Sequence, residues 1–364
     1  MRFFGKGRPR IRGVVDVGSD AIKALLFEFR SDDAGAGQMN GGVHPARIRP
    51  IEKFVSTLPP GYTGLRLVQK IRENVFAMVR RIERVPAGIV IAIGPTVAEY
   101  KTDTWRVALG NGNKLLTRRE LASHYQRLFE ENSDLRRAAI TAPVEVLVNG
   151  WPLAAGEKGL DEQILPRSEV KELAFRTLSL YMPVELGAVF AEIKNVLGGM
   201  PIEFVPLALA EKEAVVSALG AEDFFLIDVG GAETSLIAVK KGRFARAAFI
   251  PLGARGMRDV KSRDKEIGQW KELFRKALGA FYTSGPLPTN VLLAGGGARI
   301  AQLRSALQTA DWLGEFSHAV VPGIRVLEGA SFFGGDTLAG HLGGPEDAGL
   351  ASLIIYSLGH RPLF

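Results

Sequence analysis

Two aspartates, Asp16 and Asp228, each close a run of β-branched and aliphatic residues two positions before a glycine, in Val14-Val15-Asp16-Val17-Gly18-Ser19 and Phe225-Leu226-Ile227-Asp228-Val229-Gly230-Gly231. A third strand-like run, Val291-Leu292-Leu293-Ala294, ends on Gly295-Gly296-Gly297. Glycine at a strand end lets the backbone approach a ligand with no Cβ in the way, and turn N–H groups beside a carboxylate suit a polyphosphate with its divalent cation. Other chemistry is closed off. The chain has no cysteine, which excludes disulfides, thiolate zinc sites and thiol catalysis. Its five histidines, His44, His124, His318, His341 and His360, include no pair at helical or hairpin ligand spacing, so no histidine metal site is expected.

The elements that must position these turns can be read from periodicity. Residues 13 to 29 read as a hairpin around Gly18, Ser31 to Gly42 as a surface loop, and Arg47 to Ser56 as a further strand or pair of strands. Between Leu65 and Ile82, apolar Leu65, Val68, Ile71, Val75, Met78, Val79 and Ile82 recur at three and four, predicting an amphipathic helix before the buried strand Gly88 to Ile93. The pattern changes near Pro95. Alternation at Thr104 to Ala108, Glu145 to Val148 and Phe175 to Tyr181, with a helix opened by the capping box Thr117/Glu120, predicts a small α+β insertion that ends at Met182-Pro183. A helix from Glu185 to Leu197 then rejoins the first α/β domain. A second α/β unit starts at Phe224, with strands at 224–229, 234–240 and 244–250 and a helix at 264–282 that places Ile267, Trp270, Phe274, Ala277, Leu278 and Phe281 on one face.

At 364 residues the chain is long enough for two or more domains, and 46% hydrophobic against 23% charged residues is the balance of an ordinary folded protein. Part of the formal charge of +7 sits in Arg2, Lys6, Arg8, Arg10 and Arg12, beside Phe3 and Phe4. No apolar stretch follows that would make it a signal peptide, and no segment reaches the roughly 18 apolar residues of a membrane span. This basic segment reads either as a solvated tail or as a tether to anionic lipid or an acidic partner. It is short and lacks an interleaved aromatic platform, so no nucleic-acid partner is expected.

The duplicated Asp-Val-Gly hairpins followed by Ala-Gly-Gly-Gly resemble the actin-like ATPase superfamily. The resemblance implies an α/β, actin-like (ribonuclease H-like) two-domain fold that binds ATP with Mg²⁺. It places Asp16, Gly18, Ser19 and Lys23 in a first phosphate loop and Asp228, Gly230, Gly231 and Thr234 in a second. Gly295, Gly296, Gly297 and Arg299 fall on the adenosine side, and Asp16 and Asp228 hold the hydrated Mg²⁺. Asp16-Val-Gly-Ser-Asp-Ala-Ile-Lys23 and the run 292–300 look like the corresponding motifs of the bacterial cell-division FtsA family and the pilus-assembly PilM family. An insertion after the strand ending at Ile93 is where both families carry a 1C subdomain. The text of residues 115–133 and 144–153 resembles FtsA more closely than PilM, and the apolar helix 348–358 also resembles the closing helix of the FtsA core. The implied layout is a basic tail (1–12), a first domain (13–94 and 184–222) interrupted by a 1C-like subdomain (95–183), a second domain (223–262 and 289–364), and a reduced IIB-like segment (263–288). The IIB segment is reduced because Pro251 to Val291 leaves room for about one helix and a loop.

The role this implies is an FtsA-like cytoskeletal adaptor, cytoplasmic and peripheral at the inner face of the cell membrane. It would self-associate into a filament or dimer and recruit division proteins such as a tubulin-like ring protein. The sequence stops at Phe364 without FtsA's amphipathic helix, so attachment is expected through the basic N-terminus or a partner. The alternative is a PilM-like cytoplasmic scaffold of a type IV pilus or related secretion assembly, holding a pilus membrane protein. A small-molecule kinase of the same superfamily ranks third, since no general base for an acceptor is identified. Glu211, or else Glu213, stands near the strand-to-helix junction where a water-positioning carboxylate belongs. The pattern Glu211-Lys212-Glu213 reads more readily as a solvated helix face, so ATP binding with slow or absent hydrolysis is expected.

Overall fold

The structure is a computed structural model that describes residues 9–30, 48–59, 64–81, 86–109, 117–132, 140–153, 170–196, 200–282, 288–308, 323–333, 338 and 340–359. The expected loop from Ser31 to Gly42 and the first eight residues of the basic segment lie outside the described residues. The chain divides into two compact units, one of 1–97 with 184–359 and one formed by 98–183.

In the larger unit, β1 (Arg10–Val17) and β2 (Ala21–Phe29) form the first hairpin, joined by β3 (Arg49–Thr57). Helix α1 (Gly64–Arg80) follows and buries Val68, Ile71, Val75 and Met78, the stripe that its three-and-four spacing predicts. Strand β4 (Ile89–Ile93), buried at every position, then runs parallel to β1.

The smaller unit is a four-stranded antiparallel sheet of β5 (Glu99–Ala108), β6 (Ile140–Val148), β7 (Trp151–Pro152) and β8 (Glu172–Tyr181), ordered β5-β8-β6-β7. Helix α2 (Arg118–Glu131) starts at the predicted capping box. The Thr117 side chain accepts from the Glu120 N–H while the Glu120 carboxylate accepts from the Thr117 N–H, so two otherwise orphaned donors are satisfied. Leu121 of α2 joins Val146, Val170, Leu173 and Phe175 in a separate small core.

The larger unit resumes with α3 (Val184–Val196), β9 (Ile202–Pro206) and α4 (Leu207–Leu219), and β9 completes a sheet of order β3-β2-β1-β4-β9. The same plan then repeats. Strands β10 (Phe224–Val229), β11 (Thr234–Lys240) and β12 (Arg243–Ile250) form an antiparallel meander. After α5 (Ala254–Met257) and α6 (Arg263–Tyr282), strands β13 (Asn290–Ala294) and β14 (Gly323–Val326) add in parallel, giving the order β12-β11-β10-β13-β14. Helices α7 (Ala301–Gln308) and α8 (Ala348–Gly359) complete the fold.

Two features bear on the expected layout. The segment 263–288 supplies α6, and its apolar face of Ile267, Trp270, Phe274, Leu278 and Phe281 is part of the second sheet's own core, with Trp270 stacked on Phe274 at 4.8 Å. Each of these large side chains gains about 1.5–3 kcal/mol on full burial, which holds the helix against the sheet. At the N-terminal side, β1 already begins at Arg10, so the end of the basic segment is strand. The Arg12 guanidinium donates to the Ser357 carbonyl and lies over the Phe29 ring, and its burial lowers its pKa. Among the described residues no helix is long and apolar enough to cross a membrane.

Candidate functional site

The duplicated sheets place two turns of the same kind at corresponding strand ends. Asp16 lies at the end of β1, paired in register with Lys23 of β2, and the Lys23 ammonium stands 3.9 Å from its carboxylate. Lys23 also donates to the Glu346 carbonyl. Asp228 lies at the end of β10, and its carboxylate packs against Gly295 so closely that a Cβ there would overlap it. Gly295 has φ +81°, a conformation that favours glycine, and its N–H donates to the Pro345 carbonyl at 3.0 Å.

Glu211 joins these aspartates from helix α4. It is 2% exposed, which corrects the solvated-face reading of Glu211-Lys212-Glu213. The reason is visible in the helix: Leu207, Ala208, Leu209, Ala210, Ala214 and Val215 are all buried, so α4 has no wide solvent face in its first turns. Neither Glu211 oxygen has a hydrogen-bond partner at normal geometry. Burial, then the charges of Asp228 and Asp16, raise its pKa well above the ordinary carboxylate range. Burial also raises Asp16, partly offset by Lys23, and raises Asp228, where Asp16 adds to the effect. The three carboxylates therefore form one anionic centre that favours a proton or a cation. Among the described residues no three acidic or histidine side chains are grouped tightly enough to hold a metal ion directly.

The two turns also touch. The Ser19 hydroxyl accepts from the Ala232 N–H at 2.8 Å, and Asp20 forms ion pairs with Arg255 and Arg258 at 2.6 and 2.9 Å. Beside them the Glu233 carboxylate accepts from the Thr96 N–H at 2.6 Å and the Thr96 hydroxyl at 2.7 Å. Burial pushes Glu233 up to about 7 despite those bonds. Gly18 closes the first turn by donating to the Ala21 carbonyl, and the carbonyls of Gly230 and Gly231 accept from the N–H groups of Ala254 and Arg255.

Two expected ligands are otherwise engaged. The Thr234 hydroxyl donates to the Leu252 carbonyl and accepts from Trp270 Nε1, both at 2.9 Å, so it satisfies the core instead of facing the turn. Arg299, at the end of the Gly296–Arg299 turn, is 62% exposed and forms a two-pronged pair with Glu346 at 2.6 and 2.7 Å. That pair raises the Arg299 pKa and lowers that of Glu346. Arg299 and Gly296 do line a cavity of about 620 Å³, together with Arg258, Arg263, Ile300 and Gln302. Asp20, Glu233, Arg255 and Arg258 escape the sequence reading because each finds its partner more than a hundred positions away along the chain. The one local hint is an acid four residues after Asp16 and five after Asp228, and it says nothing of the partner.

No protein-family model matches the sequence, and no curated protein matches it. Solved structures do. A chain of a PilM-PilN type IV pilus biogenesis complex aligns over 96% of this chain and 99% of its own length, at 16% identity and a TM-score of 0.63. A Bacteroides thetaiotaomicron protein of unknown function with an actin-like ATPase fold aligns over 90% and 94% at 10% identity and a TM-score of 0.41. An activator of 2-hydroxyisocaproyl-CoA dehydratase from Clostridium difficile, with bound ADPNP, aligns over 96% and 94% at 10% identity and a TM-score of 0.40. With its two sheets of identical strand order, each opening on an Asp-Val-Gly hairpin, the chain has the actin-like ATPase fold.

Proposed function

We propose that this chain is a PilM-like cytoplasmic scaffold of a type IV pilus or related secretion assembly, which binds a nucleotide between its two glycine turns and holds a membrane partner. The alignment with the PilM-PilN complex along nearly the full length of both chains carries this reading, and it favours the PilM-like role over the FtsA-like one. The test is affinity capture of the tagged full chain from its native host after crosslinking. Recovery of a pilus-type membrane protein is expected. Recovery of a tubulin-like division protein in its place would return the FtsA-like role.

The residues present fit a nucleotide with Mg²⁺. Three buried carboxylates, each with its pKa raised first by burial and with Asp16 adding to the rise at both Asp228 and Glu211, suit a divalent cation, which Mg²⁺ can supply while keeping part of its own water shell. Asp16 and Asp228 would hold that ion, and Lys23 would neutralise charge beside Asp16. The glycine-lined cavity at Gly296 and Arg299 would take the nucleoside. When bound, Mg²⁺ supplies charge neutralisation for the phosphates. Glu211 would hold a proton or orient a water beside the aspartates. Calorimetric titration of ATP and ADP with Mg²⁺ checks this: binding by the parent and its loss in Asp228→Ala are expected, and no binding by the parent would leave a nucleotide-independent scaffold.

A further inference from the structure

The Asp20 carboxylate occupies a seat built for an anion. Arg255 grips one oxygen, with Nε at 2.8 Å and Nη2 at 2.6 Å, and Arg258 Nη1 stands 2.9 Å from the other. The floor of the seat is Gly231, where any Cβ would overlap the Asp20 carboxylate. The neighbouring residue docks in the same sense: Ser19 takes the Ala232 N–H on its hydroxyl and an Arg255 N–H on its carbonyl, both at 2.8 Å. A glycine floor, a turn N–H and two guanidiniums are the donors that recognise a phosphate group. Here the Asp20 carboxylate has taken the two guanidiniums, and the Ser19 hydroxyl beside it has taken the turn N–H.

We propose that Gly231, Arg255 and Arg258 form a phosphate seat and that Asp20 fills it as a built-in anion, which a phosphate group of an incoming ligand must displace. The identity of that ligand as a nucleotide rests on the function proposed above; the seat itself does not. Arg258 connects the seat to the cavity, since it lines that cavity beside Gly296 while pairing with Asp20. A phosphate chain entering from the cavity therefore meets Arg258 first. Asp20 keeps 22% of its side-chain surface exposed while its Oδ2 is buried without a hydrogen bond, so leaving the seat hydrates that oxygen and partly offsets the loss of the two arginine contacts. A ligand that binds only the vacated seat has its apparent affinity reduced by the fraction of molecules in which Asp20 is seated. Asp20 thus sets the threshold concentration for binding.

The test is calorimetric titration of inorganic pyrophosphate and of ATP, each with Mg²⁺, into the full chain and its Asp20→Ser, Asp20→Asn and Asp20→Ser/Arg258→Gln forms. Asp20→Asn keeps the side chain's shape while removing its charge, so a folding defect of the serine variant cannot decide the outcome. Both single variants are expected to bind pyrophosphate and ATP at least tenfold tighter than the parent, with Arg258→Gln removing most of the gain. Pyrophosphate affinity unchanged from the parent in both overturns the seat. Tighter pyrophosphate binding without ATP binding in any form supports the seat and removes the nucleotide reading. ATP binding that Asp228→Ala abolishes and the Asp20 substitutions do not alter keeps the nucleotide reading and overturns the seat.

Discussion

Glu233 holds a buried carboxylate on two bonds from Thr96, and the chemistry of that arrangement sets a pH dependence. Its folded pKa of about 7 lies above the unfolded value of 4.5. The folded state therefore binds a proton that the unfolded state has released, and stability falls as pH rises from about 4.5 through about 7. At one pKa unit per 1.36 kcal/mol the loss is at most about 3 kcal/mol. Glu233→Gln keeps the oxygen that accepts from Thr96 and cannot ionise. Urea unfolding at pH 5 and pH 8 should show the parent losing stability across that interval and the variant losing much less; an identical loss in both would place the titrating group elsewhere. Gly295 makes a steric prediction of the same kind. Alanine there must adopt φ near +81° and overlap Asp228, so Gly295→Ala is expected to cost at least about 2 kcal/mol and to weaken nucleotide binding.

At the scale of elements, much of the fold is legible because each strand or helix advertises itself locally. The β1–β2 and β10–β11 hairpins follow from aliphatic runs broken at glycine, α1 and α6 from their apolar stripes, and α2 from its capping box. What stays hidden is set by distant partners. Strands β9 and β14 are edge strands of five and four residues whose identity depends on parallel pairing with β4 and β13. Helix α4 is covered in the fold by α8, more than a hundred residues later, so a charged triplet that reads as solvated is buried at Glu211. Thr234 shows the same limit in the site. Its position in an Asp-Val-Gly-Gly hairpin points to a phosphate, whereas the structure spends its hydroxyl on Trp270 and Leu252. Thr234→Val leaves the buried Trp270 Nε1 without an acceptor and should cost about 1–3 kcal/mol. Nucleotide affinity measured on the folded variant is expected to stay within about twofold of the parent. A selective loss of affinity at unchanged stability would restore Thr234 as a ligand.

At the scale of the whole molecule, the smaller unit carries its own means of folding. Residues 98–183 enclose a core of Leu121, Val146, Val170, Leu173 and Phe175, and Trp105 Nε1 donates to Thr177 at 3.1 Å within the same sheet. The unit's entry and exit strands are neighbours, with Glu99 paired in register with Tyr181, so its two ends lie side by side. A segment spanning 98–183 is long enough to fold alone, and with one small core its stability is expected at the low end of the usual range, on the order of 5 kcal/mol. The larger unit holds both glycine turns, the three carboxylates and the cavity, all within residues 1–97 and 184–359. Expressed alone, residues 98–183 should unfold cooperatively, reported by Trp105 fluorescence. The complementary chain, closed by a short Gly/Ser linker between Val97 and Val184, should keep the Trp270 environment and bind Mg²⁺-nucleotide within about threefold of the parent. Nucleotide binding that vanishes from a folded complementary chain would mean that the inserted unit helps to build the site. Binding retained there would make residues 98–183 a module separable from the proposed nucleotide site, free to be assayed by itself against the proposed membrane partner.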